Sequence, residues 1–322
     1  MLWEPAIYEH KAALINKPPA EVAYSVDLLT RSILCEYETY QADLLTVGID
    51  VYNIEPEACG ARVEATDDTS CPEIAVPPYN LEKLPEKLLL PPIPESGRFQ
   101  LILDTGRTVK AALPDKCEVR IAVSGPATIA SKLVGMEPLV LGLALSQPAA
   151  TVLLDFCSQL AANWCRVLCE SGLTPIIFDS AAAPPMFSPG MYKEHLFPRH
   201  HSLMHLLETL GQTSRPLIIG GNTVPLVDQL AQTGATMLIC DYGANAADFA
   251  QNLPFRKEPA IRRNVNPALL MPESTASLTE LAQNYAVDLA KFANPVAGTG
   301  ILPYNFEAAR YHEFKSLVES VL

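Results

Sequence analysis

Glu118-Val119-Arg120-Ile121-Ala122-Val123 runs straight into Ser124-Gly125-Pro126, and the same succession, a short aliphatic run closed by glycine or a small polar residue, recurs down the chain. Run 175–178 ends in Asp179-Ser180, run 216–219 in Gly220-Gly221-Asn222-Thr223, and run 236–240 in Asp241-Tyr242. Run 260–263 ends in Asn264 and run 295–297 in Gly298-Thr299-Gly300. Amphipathic stretches at 149–170, 191–210 and 223–233 lie between them. Strands alternating with helices imply parallel strands joined by crossover helices. A doubly wound sheet gathers its functional loops at one switch point, whereas a closed barrel brings the loops after all its strands to one mouth. Strand ends of this composition, one after another, favour the barrel. The preferred architecture is therefore an α/β barrel.

Upstream of 118 the pattern changes. Apolar residues at helical spacing (Val22, Val26, Leu29, Ile33) predict helix, and residues 1–43 are expected as N-terminal helical additions to the barrel. A short strand at 44–48 comes next. Residues 50–96 are expected as an insertion wrapped on the surface. Its first part, 50–73, carries seven acids (Asp50, Glu55, Glu57, Glu64, Asp67, Asp68, Glu73) against one base, Arg62, and its second part is dense in proline.

Charge excludes whole classes of function. Twenty-three Lys and Arg against 36 Asp and Glu leave a net charge of -13, and no three cations adjoin. Nucleic-acid binding and attraction to an acidic membrane both need clustered cations. A hydrophobic content of 49% with 18% charged residues is that of a chain with a large core. Glu4, Glu9, His10 and Lys11 interrupt any apolar leader at the start, and no apolar run approaches the ~18 residues of a membrane span. The eight dispersed cysteines read as reduced core thiols of a cytoplasmic protein, Cys165 and Cys169 included.

Several groups at these strand ends have chemistry to offer. Asp179 and Asp241 come after aliphatic runs, where burial or a partner tunes a carboxylate for proton transfer; capping of the next helix is the competing reading. Gly220-Gly221-Asn222-Thr223 opens a helix and presents free N–H groups, without the spacing of a P-loop or dinucleotide fingerprint. His195, His200, His201 and His205 read as a solvated helix face rather than a metal site. Glu55 and Glu57 are candidates to bind a cation or supply an acid.

Ser124-Gly125-Pro126-Ala127-Thr128-Ile129-Ala130 with Leu133 and Gly135, Ser188-Pro189 with Tyr192, Gly221-Asn222-Thr223 with Thr233-Gly234-Ala235, Cys240-Asp241, and Asn264-Val265-Asn266-Pro267 together resemble the uroporphyrinogen decarboxylase superfamily. The resemblance runs in order from about residue 44 to the C-terminus and implies an α/β fold, a single TIM (β/α)8 barrel domain over residues 1–322, in agreement with the strand ends. Phe178-Asp179-Ser180 resembles the Phe-Asp-Ser of the decarboxylases. Their arginine-rich N-terminal motif has no counterpart, since Arg31 is the only arginine before residue 60. The other branch, methyltransferases that move a methyl group from a corrinoid protein to a thiol, carries zinc on positions that match Ile218, Gly220 and Thr299 here. No zinc is therefore expected. Segments 45–55 and 298–304 resemble a third group of superfamily members, of unassigned activity.

The resemblance implies an enzyme, a methyltransferase or carboxy-lyase, with zinc-independent methyl transfer linked to a corrinoid or tetrapyrrole as the leading expectation. The alternatives are a cofactor-free decarboxylase of a tetrapyrrole or smaller carboxylic acid, and a noncatalytic corrinoid- or tetrapyrrole-binding module. Asp179 and Asp241 are the expected catalytic groups. Asn53, Glu55, Glu57, Gly125, Asn222, Thr223, Tyr242, Asn264 and Thr299 are expected to contact substrate. No covalently bound cofactor is expected; a corrinoid would come from a partner protein, and a homodimer is compatible with the resemblance. The acidic segment argues against a polyanionic substrate at the mouth and is compatible with a neutral or cationic substrate, or with a basic partner.

Overall fold

The computed structural model describes residues 1–254 and 259–322. Among these residues eight parallel strands alternate with helices around a closed barrel. The strands are β1 (Leu2–Ile7), β2 (Leu44–Val47), β3 (Glu118–Ser124), β4 (Thr174–Phe178), β5 (Leu217–Ile218), β6 (Met237–Cys240), β7 (Ala260–Val265) and β8 (Pro295–Leu302). Their ladders run β1-β8-β7-β6 and β2-β3-β4-β5. Two seams close the ring. Pro216 bridges Met237 in parallel between β5 and β6, with Thr236 N donating to the Arg215 carbonyl at 3.0 Å. Between β1 and β2, Trp3 N donates to Asp43 Oδ2 at 2.7 Å and Asp43 N to the Trp3 carbonyl at 3.1 Å.

One expectation is corrected here. Residues 1–43 hold the expected helices, at Glu9–Ala13, Pro19–Ala23 and Val26–Tyr40, but the segment is not merely an addition, because Leu2–Ile7 is the first barrel strand and α1 (Val26–Tyr40) is its crossover helix. A strand containing Glu4 and Pro5 reads poorly as a sheet interior. Pro5 is tolerated because the β1–β8 register slips between Glu4 and Ala6, a bulge where no N–H is required. The N–H of Ala6 beyond it donates to Thr299 Oγ1 at 3.1 Å. Glu4 is accepted because it points into the barrel, where two arginines meet it.

Helix α1 begins where Ser25 accepts from Leu28 N and ends with Gln41 in the left-handed region. It buries Leu29, Ile33 and Tyr40. Fully buried Lys11 donates to the carbonyls of Thr46 and Gly48 at 3.0 and 2.8 Å and pairs with Glu36 of α1 at 3.2 Å, fastening that helix to the exit of β2. The 50–96 excursion holds the short helix α2 (Ile54–Ala58) and an antiparallel ribbon of Val63–Glu64 with Glu73–Ile74. It returns through α3 (Phe99–Ala112) to β3. Then come α4 (Pro126–Val134), α5 (Pro148–Glu170), α6 (Phe197–Thr209), α7 (Val227–Gln232), α8 (Ala246–Gln251), α9 (Leu278–Leu289) and α10 (Ala308–Val321). Prolines at the first positions of α4 and α5 suit helix starts.

Alternation along β3 makes the two-sided core explicit. Val119, Ile121 and Val123 face outward into one cluster with Leu160 and Trp164 of α5, while Ala122 faces inward with Ile176, Phe178, Ile218 and Ile239. At the strands' N-terminal ends Leu44, Met237 and Val296 form an apolar floor. On it rests a charged layer, in which Glu4 Oε1 meets both Arg120 Nη2 and, at 2.8 Å, Arg262 Nη1. No single helix among the described residues is long and apolar enough to cross a membrane.

Candidate active site

A cavity of about 200 Å³ opens at the C-terminal ends of the strands, bounded by Tyr8, Tyr52, Phe178, Asp241, Tyr242, Arg262 and Asn264. It stands where the convergent loops of a barrel place chemistry. Asp241 is fixed in it by three donors. Its Oδ2 accepts from Gly221 N at 2.9 Å, and its Oδ1 accepts from Tyr242 N at 2.9 Å and Asn264 Nδ2 at 3.0 Å. The other end of the Asn264 amide accepts from Arg262 Nε at 3.1 Å, so one carboxamide spans carboxylate and guanidinium. Gly298 makes that possible, since a Cβ there would lie 2.8 Å from both Arg262 Cγ and Asn264 Oδ1.

The aromatic wall stands on one side. Phe178 is flanked edge-on by Tyr8 and Tyr52, with ring centroids 6.4 and 6.3 Å away. The Tyr52 hydroxyl is 2.8 Å from Ser180 Oγ. Burial pushes both the Tyr8 and the Tyr52 phenols up, so both stay neutral over the physiological range. Tyr242, 46% exposed, stands at the rim against Gly300. A second cavity of about 210 Å³ adjoins, shares Tyr8 and Tyr52, and is lined by Asn53 and Cys71.

The structure divides the expected residues sharply. Asp241, Tyr242 and Asn264 line the mouth, and Asn53 lines the neighbouring cavity. Asp179 does not. It is fully buried and turned onto the N-terminus of α4, accepting from Thr128 N at 2.6 Å, Ala127 N at 3.2 Å and His200 Nε2 at 2.7 Å. His200 Nδ1 in turn is 2.9 Å from the Tyr192 hydroxyl, so this histidine belongs to the interior, while His201 and His205 are exposed as expected. Gly125 lies beneath Asp179, where any Cβ would come within 2.4 Å of its Cγ. Asn222 is exposed and, among the described residues, accepts only from Val224 N at 3.3 Å; Thr223 is buried. Thr299 closes the β1 bulge with its hydroxyl.

The acidic segment is also corrected. Asp50, Glu55 and Glu57 do not form an open anionic surface. Arg98 takes Asp50 in a two-toothed pair at 2.9 and 2.6 Å, and its Nε meets Glu57 at 2.5 Å. Asn53 Nδ2 donates to Asp50 Oδ2 at 3.1 Å and to the Pro72 carbonyl at 2.7 Å. Glu55 is fully buried; its Oε1 accepts from Ser124 N at 2.9 Å while Oε2 has no partner among the described residues. Burial raises its carboxyl to about 7.

Sequence reading missed Glu4, Tyr8, Tyr52, Phe178, Arg120 and Arg262. A signal existed for the charged ones, since Glu4, Arg120 and Arg262 each interrupt an otherwise aliphatic or buried strand.

A family model for uroporphyrinogen decarboxylase (URO-D) matches residues 6–298. The chain belongs to the uroporphyrinogen decarboxylase family. No curated relative matches its sequence. Among solved structures a methyltransferase from Methanosarcina mazei superposes with a TM-score of 0.85 at 16% identity, over 99% of this chain and 92% of that one. At that identity the likeness establishes the shared barrel. Within the family, zinc at the positions matching Ile218, Gly220 and Thr299 does not fit this chain. Ile218 is hydrocarbon packed in the barrel, Gly220 has no side chain, and the Thr299 hydroxyl is engaged by Ala6 N. Among the described residues no three His, Cys, Asp or Glu side chains converge to replace them.

Proposed function

We propose that this uroporphyrinogen decarboxylase family member is a cytoplasmic enzyme that moves a methyl group between a small molecule held in the barrel mouth and a corrinoid presented by a partner protein, without zinc. The observation that carries the reading is the triply anchored Asp241 beside Arg262 and Asn264 in a cavity of about 200 Å³. Drug-sized ligands occupy ~300–1,000 Å³, so a cavity of this size suits a small substrate and leaves a tetrapyrrole to approach the mouth from outside. When a heteroatom gives up or accepts a methyl group, its charge changes by one. Asp241, held in orientation by three donors, stands ready to compensate that charge or to take a proton, a role that other methyltransferases give to a metal. Asp179, Glu55, Glu57, Gly125, Asn222, Thr223 and Thr299 act as scaffold in this reading, and Tyr242, Asn264 and Arg262 position the substrate.

The test is incubation of the purified protein with free and methylated corrinoids and a panel of small methyl donors and acceptors, monitored by corrinoid absorbance. Methyl exchange in the wild type and its loss in Asp241→Asn are expected; no exchange with any donor or acceptor would overturn the reading. A second reading is favoured by Arg262, whose Nη2 has no hydrogen-bond partner among the described residues and is available to a carboxylate. It is the cofactor-free decarboxylation of a small carboxylic acid, and release of carbon dioxide without corrinoid distinguishes it.

A further inference from the structure

We infer that the ligand of the mouth is a small zwitterion, a carboxylate joined through one or two carbons to a fully methylated ammonium group. Its role as methyl donor rests on the reading above; its binding does not.

The two ends of the cavity are built for opposite charges. Arg262 is buried in the barrel wall, with Nε on Asn264 and Nη1 on Glu4 at 2.8 Å, and Nη2 free among the described residues. Glu4 answers both Arg120 and Arg262, so the layer holds two guanidinium groups against one carboxylate. An anion at Nη2 completes it. Across the Asn264 amide stands Asp241, and the aromatic wall of Phe178, Tyr8 and Tyr52 faces the same space, with Tyr242 at the rim. Aromatic faces with a nearby carboxylate attract a cation. Because a single carboxamide separates Arg262 from Asp241, the two charges of the ligand must lie close together.

Hydrogen-bond supply decides which cation. Asp241 already accepts three hydrogen bonds, Asn264 Oδ1 is taken by Arg262, and the Tyr52 hydroxyl is paired with Ser180. The three N–H groups of a primary ammonium would have to exchange their water partners for the lone pairs left on Asp241 and Asn264 and for the Tyr8 and Tyr52 hydroxyls. A quaternary ammonium has no N–H to satisfy, so it loses only the diffuse hydration of its charge, which aromatic rings and a carboxylate can replace. It is also the donor that needs no acid. As the carbon–nitrogen bond breaks, its electron pair stays on nitrogen and neutralises it, leaving a dimethylamino carboxylate. A reduced, cobalt(I) corrinoid brought by the partner would supply the electron pair that takes the methyl group and would itself be oxidised by two electrons, so that no residue of this chain has a proton to move.

The experiment is calorimetric titration of the purified chain with trimethylammonioacetate and with 3,3-dimethylbutanoate, the isosteric carboxylate in which an uncharged carbon replaces the quaternary nitrogen. We expect the zwitterion to bind about tenfold more tightly or better, as desolvated cation–π and carboxylate contacts to its ammonium end require. Tyr242→Ala, a rim substitution, should erase much of that ratio without changing the melting temperature. Equal affinities, or no binding of either, would overturn the inference. Trimethylammonioacetate bound without methyl passing to reduced corrinoid upholds the ligand class and overturns methyl transfer. Methyl transfer from some other donor, with trimethylammonioacetate unbound, does the reverse.

Discussion

Asp179 and Asp241 end equivalent runs of aliphatic residues, at the tops of the fourth and sixth strands, and have opposite environments. Asp179 is sealed between the first turn of α4 and His200. Asp241 looks into the mouth, held by Gly221, Tyr242 and Asn264. The loop that leaves the neighbouring strand separates them. After β3 the chain turns at once into a helix whose free N–H groups lie against β4, with Gly125 leaving the space that the carboxylate fills. After β5 it makes the open Gly220-Gly221 turn before its helix begins, so Asp241 meets one N–H and remains at the cavity. A carboxylate at a strand end is therefore scaffold or site according to the loop beside it.

The largest effect expected from this contrast is on stability. Asp179→Ala leaves the Ala127 and Thr128 N–H groups and His200 without their buried partner, a loss of about 3–5 kcal/mol by the precedent of broken buried pairs. Gly125→Ala should act through the same contact, costing about 1–3 kcal/mol for an overpacked site. Urea denaturation measures both. An Asp179→Ala protein of wild-type stability but without activity would return Asp179 to the chemistry.

The same residues mark how far the fold and the site are legible in the sequence. Seven of the eight strands announce themselves through β-branched and aliphatic runs, and the eighth, Leu2–Ile7, hides behind Glu4 and Pro5. A bulge and two arginines from distant strands make those residues acceptable, and neither is local information. Asp241, Tyr242 and Asn264 are readable as strand-end residues, whereas Arg262 requires knowing that its strand faces a cavity. Asp50 and Glu57 look like open charge because Arg98, their partner, lies some forty residues on.

Glu55 extends the comparison to a carboxyl with a single partner. Its native value of about 7 lies above the ordinary 4.5, so the folded state holds its proton more tightly than the unfolded chain. Stability from this group is full below pH 4.5 and is lost as pH rises towards 7, flattening above, by on the order of 3 kcal/mol. Glu55→Gln should remove that slope. Denaturation midpoints at pH 5 and pH 8 test it, and an unchanged slope in the variant would assign the loss to another group.

Asp241→Asn should invert the Asp179 result. Asp241 is half-buried and Gly221 is an exposed residue, so stability should fall by about 1 kcal/mol or less. Methyl exchange should fall about 100-fold or more, the lower range for loss of a positioned acid–base or charge-compensating group. Rates and melting curves on one preparation separate the two effects. A large loss of stability with rates intact would make Asp241 a second Asp179.

Asn222→Ala supplies the smallest effect and the strictest control. Asn222 stands just after the glycine turn that delivers Gly221 N to Asp241, yet its side chain is exposed and, among the described residues, bonds only Val224 N, at 3.3 Å. Removing one weak, solvated turn contact should change stability by less than about 0.5 kcal/mol, as surface substitutions usually do. The backbone that holds Asp241 stays in place, because Gly221, at a positive φ of 76°, sets the turn independently of the neighbouring side chain. Exchange rates should therefore match the wild type. A loss of rate approaching that of Asp241→Asn would mean that substrate reaches over the rim to Asn222, and would enlarge the site beyond the 200 Å³ cavity.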